Sequence, residues 1–217
     1  MRQSDEMQDG QDLLPAPKQA LMVWQGLRRG PSKHGHRVIG SRHWGEMIMS
    51  ANAIDVSRLG TARSGFETAS ENWPPNVKAA HGKPSPTSAH LGLEILAVNQ
   101  ADGIVEMAFN ADDKLCNKWG GIQGGNVAAM LDDAMAFAIG LNLDWGQISP
   151  TLELKVSMLA PARPGRLYAV GQVVRRGRSV GFVEGQLYDE AGQLLATGSS
   201  TANFVTLKKP DKKREKK

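Results

Sequence analysis

The sequence predicts an α+β fold in which one antiparallel sheet packs on a single long helix. Three observations carry that expectation. One apolar run with helical period spans residues 123 to 142. Two strand-like stretches precede it and four follow it. The connections after the helix are short, and short turns join antiparallel neighbours. With one sheet and one long helix, the sheet must wrap that helix, or clamp it against a second subunit.

The elements follow in order. Residues 1 to 72 show no sustained period of 2 or 3.6, and "GPSKHGHRVIGSRHWG" and "SRLGTARSGFETASENWPP" are rich in Gly, Ser, Arg and Pro. This stretch is expected to be a disordered extension, with at most a short helix over 19–29. His34, His36 and His43 lie in it without a cysteine or carboxylate between them, which is a poor metal set. Order is expected from residue 73. Pro74-Pro75 opens a short helix that Gly82, Pro84 and Pro86 end. "LGLEILAV" (91–98) and "IVEMAF" (104–109) flank the turn "QADG". After the helix, "TLELKVSML" (151–159) alternates, with Leu152, Leu154, Val156 and Met158 on one face. "RLYAVGQVV" (166–174), "VGFVEGQLY" (180–188) and "LLATGSSTANFV" (194–205) complete the sheet. The basic tail 208–217 is expected to be disordered.

Composition excludes several classes. The chain has 217 residues, 41% apolar and 22% charged, within globular norms. Its net charge is +4, but the tail "KKPDKKREKK" contributes +5 and everything before it −1. The basicity is therefore a tail property, and neither a nucleic-acid nor a membrane partner is expected. Cys116 is the single cysteine, so no internal disulfide forms, and a reducing, cytoplasmic setting is expected. No apolar run is long enough to span a membrane.

The long helix poses a chemical question. Val127, Met130, Leu131, Ala134, Met135, Ala138, Ile139 and Leu141 cover most of its circumference, so it is expected to be buried. Yet Asp132 and Asp133 sit in its middle, about 100° apart around the axis. Either both lie on an exposed flank, or one lies in a cleft where desolvation would raise its pKa and make it a usable base.

The spacing around this helix resembles the hotdog-fold thioesterases, in particular the PaaI-like branch of phenylacetate-pathway type. That family shows an Asn, five residues, His-Gly-Gly, and a helical Asp seven residues past the second Gly. Here Asn117, Gln123-Gly124-Gly125 and Asp132 stand in those places, and "PARPG" (161–165) matches the family's Pro-x-x-x-Gly after the next strand. The resemblance covers about residues 74–207. It implies a curved sheet around the central helix, hydrolysis of an acyl-CoA thioester without a cofactor or metal, and a homodimer or dimer of dimers. It implies catalytic roles for Asp132 as base or nucleophile, the Gly124 amide as oxyanion donor, and Asn117 and Gln123 as orienting groups. Gly125 and Thr151 are the accompanying substrate-side positions, unless Thr151, like Glu153, simply belongs to a solvent-facing polar row of a half-buried sheet.

The residues give that chemistry a physical basis. Thioester hydrolysis needs a base or nucleophile and stabilisation of the developing oxyanion. Amides at a helix N-terminus supply the second. Gly124 and Asp132 are eight residues apart, about 12 Å along a helix, so one small carbonyl cannot touch both in one chain. The site is expected to combine Gly124 of one subunit with Asp132 of another. Gln123 replaces the family's His; it hydrogen-bonds but does not titrate. This leaves a non-catalytic acyl-CoA-binding module as the alternative. Arg175, Arg176 and Arg178 at one hairpin tip suit the phosphates of coenzyme A, or are simply charged surface. Trp119 and Trp145 are read as packing or interface residues, and Met158 as core.

Overall fold

A computed structural model describes residues 48–50 and 53–207. The tentative helix at 19–29, His34, His36, His43 and the basic tail lie outside the described residues. The elements in chain order are β1 (Ile48–Ser50), β2 (Ala53–Ile54), α1 (Pro75–Gly82), α2 (Pro86–His90), β3 (Leu93–Asn99), β4 (Ile104–Ala111), α3 (Gly124–Gly140), β5 (Gln147–Ile148), β6 (Thr151–Met158), β7 (Gly165–Arg176), β8 (Val180–Tyr188), β9 (Leu194–Asn203) and β10 (Val205–Thr206). Six strands form the main sheet in the order β3-β4-β7-β8-β9-β6, every neighbour antiparallel. The expected strands all form, within a few residues of their expected ends. Among the described residues, no helix is long and apolar enough to cross a membrane.

The long helix α3 lies on the inner face of this sheet. Val127, Met130, Leu131, Ala134, Met135, Ala138, Ile139 and Leu141 are all buried, as its periodicity requires. The close approach comes from a row of glycines. Gly171, Gly185 and Gly198 face one another across β7, β8 and β9, and the row continues to Val156 on β6. A Cβ at Gly171 would fall 2.1 Å from the Ala134 carbonyl oxygen, and one at Gly185 would fall 3.0 Å from the Met135 side chain. Any larger residue at Gly171 would push the helix off the sheet. This antiparallel sheet curved around one central helix is the hotdog fold.

The N-terminal boundary needs correction. Residues 53–72 were expected to lack a core of their own, and they do, but they borrow one. Ile54 and Leu59 bury against Ile104, Val170 and Tyr188, with Val56, Phe66 and Leu96 packed around them on the outer face of the sheet. Glu67 bridges to Val98 on β3. Arg63 forms an ion pair with Glu106, which is completely buried, and Glu106 also accepts the Gly60 amide at 2.9 Å. Trp73 then inserts into the main core and donates its indole N–H to the Glu67 carbonyl at 3.0 Å.

A second difference is the short helix α2, for which no expectation came from the sequence, Pro86 having been read only as part of the end of the helix before it. Pro86 instead starts it: Ser85 is the N-cap and accepts the Ser88 amide at 3.1 Å, with proline in the first turn, where its missing N–H costs nothing.

The last strand, β6, differs from the rest. Leu154, Val156 and Met158 keep the expected alternation, but the irregularity between Thr151 and Glu153 breaks it at Leu152, and Leu152, Leu154 and Met158 are exposed, at 62%, 37% and 50%. Among the described residues it is an edge of the sheet, and these side chains leave it apolar. Met158, expected in the core, is an edge residue in one chain.

Candidate active site at the bare sheet edge

The loop before α3 is held by its own backbone. Asn117 N–H donates to the Gly121 carbonyl at 2.8 Å and Gly120 N–H to the Asn117 carbonyl at 3.0 Å. Gly120 occupies the left-handed region (φ +79°) that this tight turn needs. The Asn117 side-chain oxygen accepts the Trp119 amide at 2.9 Å, so that oxygen serves the turn. The Asn117 amide nitrogen lies over Gly121. Gln123 N–H and the Asn126 side chain both donate to the Leu115 carbonyl, at 2.8 and 3.0 Å, which fixes where the helix starts.

That start, like that of α1, has no side-chain cap. Gln123 occupies the N-cap position without a side-chain hydrogen bond, and no acidic residue lies in the first turn. The first amides of a helix have no intrahelical acceptor. Gly124 and Gly125 therefore present N–H groups with the positive end of the helix behind them. A Cβ at Gly125 would meet nothing within 4 Å, and Gln123 and Gly125 are exposed. By contrast, the shorter helix α2 is capped by Ser85.

β6 connects this helix start to the aspartates. At its beginning Thr151 Oγ1 donates to Asp132 Oδ1 at 3.0 Å. An irregularity between Thr151 and Glu153 turns Thr151 toward the helix, while Glu153 faces away. At its end, the Met158 Cε lies 3.6 Å from where a Cβ on Gly124 would sit. The strand thus runs from Asp132 back to Gly124, with its free edge beside both.

The two aspartates divide as their angular separation demands, though the desolvation falls on the unexpected one. Asp132 is half-buried, on the side of β6. Asp133 turns toward α2. Burial pushes its carboxyl up to about 6; a hydrogen bond from Ser88 opposes this, and the charge of Asp132 adds to it. Its Oδ2 is sealed from solvent with no hydrogen-bond partner.

In one chain, then, the structure gathers two groups. Asn117, Gln123, Gly124 and Gly125 stand at the helix start, and Asp132 and Thr151 stand about 12 Å along it. Arg175, Arg176 and Arg178 are exposed at the β7–β8 hairpin, with the Arg176 guanidinium 5.3 Å from the Phe204 ring. Arg176 pairs with Gly181, Gly181 with Ala202, and Ala202 with Thr151. The hairpin therefore lies in the Thr151 row, three strand spacings or about 14 Å away. Trp119 and Trp145 are 78% and 73% exposed, so neither packs within one chain.

Comparison with known proteins bears on the family and the fold. The sequence profile of the thioesterase superfamily matches residues 120–196. A solved structure of a phenylacetic acid degradation-related protein from Ralstonia eutropha JMP134 is 34% identical, covering 59% of this chain and 98% of its own, with a TM-score of 0.55. The chain belongs to the thioesterase superfamily. Two further superfamily-like proteins show the breadth of the match. The PaaI protein of the Escherichia coli phenylacetic acid degradation operon shares the fold at 18% identity, covering 60% of this chain and 91% of its own, with a TM-score of 0.55. An esterase-like protein of Saccharolobus solfataricus is 29% identical over 111 residues, 51% of this chain and 72% of its own. Two features at this site were not read from the sequence. The Thr151 contact depends on a strand irregularity, and the Ser88 contact on a helix whose Ser-Pro start was the available signal.

Proposed function

We propose that this protein hydrolyses acyl-CoA thioesters at sites shared between two copies of the chain. The observation that carries the reading is the layout of β6, with Asp132 beside its first residue and Gly124 beside its last. Among the described residues its apolar edge has no strand partner. If two such edges pair antiparallel about a twofold axis, the start of each lies against the end of the other. Asp132 of one protomer then faces Gly124 of its partner, and the 12 Å separation within a chain ceases to matter. A dimer of dimers would repeat this pair.

The roles follow. The Gly124 amide, with Gly125 open beside it, takes the thioester oxygen as charge develops there. Asp132 either activates water or attacks directly to form an anhydride. Thr151 holds the Asp132 carboxylate in place, and Asn117 and Gln123 line the carbonyl's side. Free acid and CoA thiol leave. The names of the relatives point to phenylacetate-related thioesters as the first substrates to try. The arginines of the β7–β8 hairpin suit the CoA phosphates.

Gln123 supports a second reading, a module that binds acyl-CoA without cleaving it, because it cannot carry the charge of the family's His. Thiol release from short, long and aromatic acyl-CoAs separates the two. Wild type is expected to turn over, and Asp132→Ala to lose a hundredfold or more. Equal acyl-CoA binding by both with thiol release by neither establishes the binding module.

A further inference from the structure

The segment that covers the outer face of the sheet leaves a cavity where it meets the far end of α3. The cavity holds about 450 Å3. Glu67 and Asn72 of that segment line it, with Gln100 from the turn after β3, Asn142 from just past α3, and the apolar Pro74 and Val98. It lies at the C-terminal end of α3, about 24 Å along the axis from Gly124. It shares no residue with the proposed active site.

The polarity of its walls is set by hydrogen bonds. Asn72 donates its amide N–H to Glu67 Oε2 at 3.0 Å, Gln100 to the Leu141 carbonyl at 3.1 Å, and Asn142 to the Gln100 carbonyl at 3.0 Å. Each of these partners is an acceptor, so each bond fixes which end of the amide is nitrogen. Among the described residues no protein donor meets the three amide oxygens.

Glu67 is anchored by its backbone, which exchanges two hydrogen bonds with Val98, at 2.8 and 3.0 Å. Its Oε1 accepts the Ala69 amide at 2.7 Å. That bond, and then the one from Asn72, hold its carboxyl below the usual range. An ionised carboxylate accepts about four bonds, so about two sites remain. Among the described residues no salt bridge involves Glu67, and the Lys78 ammonium on α1 is turned to the Glu71 carbonyl. The last turn of α3 holds no basic residue, and the negative end of its dipole adds to the same sign.

We propose that this cavity binds a small primary alkylammonium ion, its nitrogen between Glu67 and the amide oxygens of Asn72, Gln100 and Asn142, its alkyl part against Pro74 and Val98. An ammonium carries three donors and no acceptor, which matches walls that offer acceptors around one negative charge. The volume suits a small organic ligand. A metal ion fits less well: among the described residues no group of three or more His, Cys, Asp or Glu side chains comes together, and the apolar walls would go unused. The site stands apart from the hydrolase reading and survives its failure.

Titration of the full chain with n-butylammonium, followed by 1H–15N spectra, tests this. The side-chain amide signals of Asn72, Gln100 and Asn142 should shift together and saturate on one curve. Tetramethylammonium has the charge without an N–H, and n-butanol has the alkyl body without the charge. Each should bind at least about tenfold more weakly. Glu67→Gln removes the charge but keeps an oxygen for the Ala69 amide, and should also weaken binding at least about tenfold. Ala101, exposed on the turn at the cavity's rim, breaks no side-chain bond when replaced. Ala101→Lys places an ammonium there and should abolish saturation, so it carries the test if Glu67→Gln fails to fold. Amide signals that do not move would overturn the proposal. So would equal binding of tetramethylammonium, or unchanged binding in Ala101→Lys. Calcium chloride that saturates the same signals at a lower concentration than n-butylammonium would overturn the assignment to an organic cation.

Discussion

The two edges of the main sheet are treated in opposite ways. The β3 side is closed by the chain itself. Residues 53–72 cover its outer face, Ile54 and Leu59 are buried there, and Glu106 gains an ion pair with Arg63. The β6 side is left open, with Leu152, Leu154 and Met158 exposed in a row. Edge strands are ordinarily short, charged or covered, because an open apolar edge recruits another strand. Here the protected side carries no candidate catalytic group, and the unprotected side carries Asp132, Thr151 and the helix start. In the proposed assembly the difference puts stability on one side and function, through association, on the other.

Breaking the open side should have the largest effect. Leu154→Lys places a charge in the middle of the β6 edge. It should yield a folded monomer by light scattering and thiol release at least a hundredfold below wild type. A monomer that retains activity would separate function from the edge. Breaking the closed side should act on stability alone. Arg63→Ala leaves the Glu106 carboxylate buried without its partner, and chemical denaturation should show a loss of about 3–5 kcal/mol. The dimer should persist under native conditions.

Asp133 makes a pH-dependent version of the same comparison. Its carboxyl titrates at about 6 in the fold against an ordinary 3.8. Between those values the native state holds more protons than the unfolded chain, so stability falls as pH rises through that window. Asp133→Asn removes the cost of burying the charge. Relative to wild type it should gain about 2–3 kcal/mol in denaturation at pH 7.5, and little at pH 4. The smallest effect is expected at Thr151→Val, which removes one hydrogen bond to Asp132. It should lower kcat/KM by about five- to tenfold, or about 1 kcal/mol, with the dimer unchanged.

The sequence revealed the parts of this molecule whose burial has a period of its own. The helix α3 and the strands after it read clearly because their neighbours along the chain share one face. Residues 53–72 did not, because Ile54, Leu59 and Phe66 bury against β3, β4 and β7 at irregular spacing. A strap that borrows another element's core leaves no periodic trace. The glycine row was present in the sequence, but Gly171, Gly185 and Gly198 align only once the strand register is known. The candidate site was legible in its spacing, from Asn117 through Gly124 to Asp132. The burial of Asp133 was not, because it depends on α2, a helix that was not read from the sequence.

Mixed dimers test the shared site most directly. Gly124→Pro deletes the proposed oxyanion N–H at the first helical position. Proline fits there, and Gln123 before it is already extended (ψ 133°). Asp132→Ala deletes the proposed base. Each variant alone should be inactive. A purified heterodimer of the two retains one site with Gly124 from one chain and Asp132 from the other. It should recover about half of wild-type activity, since one of two oxyanion sites is intact. A heterodimer as inactive as its parents would mean that each site lies within a single chain, and would contradict the assembly proposed here.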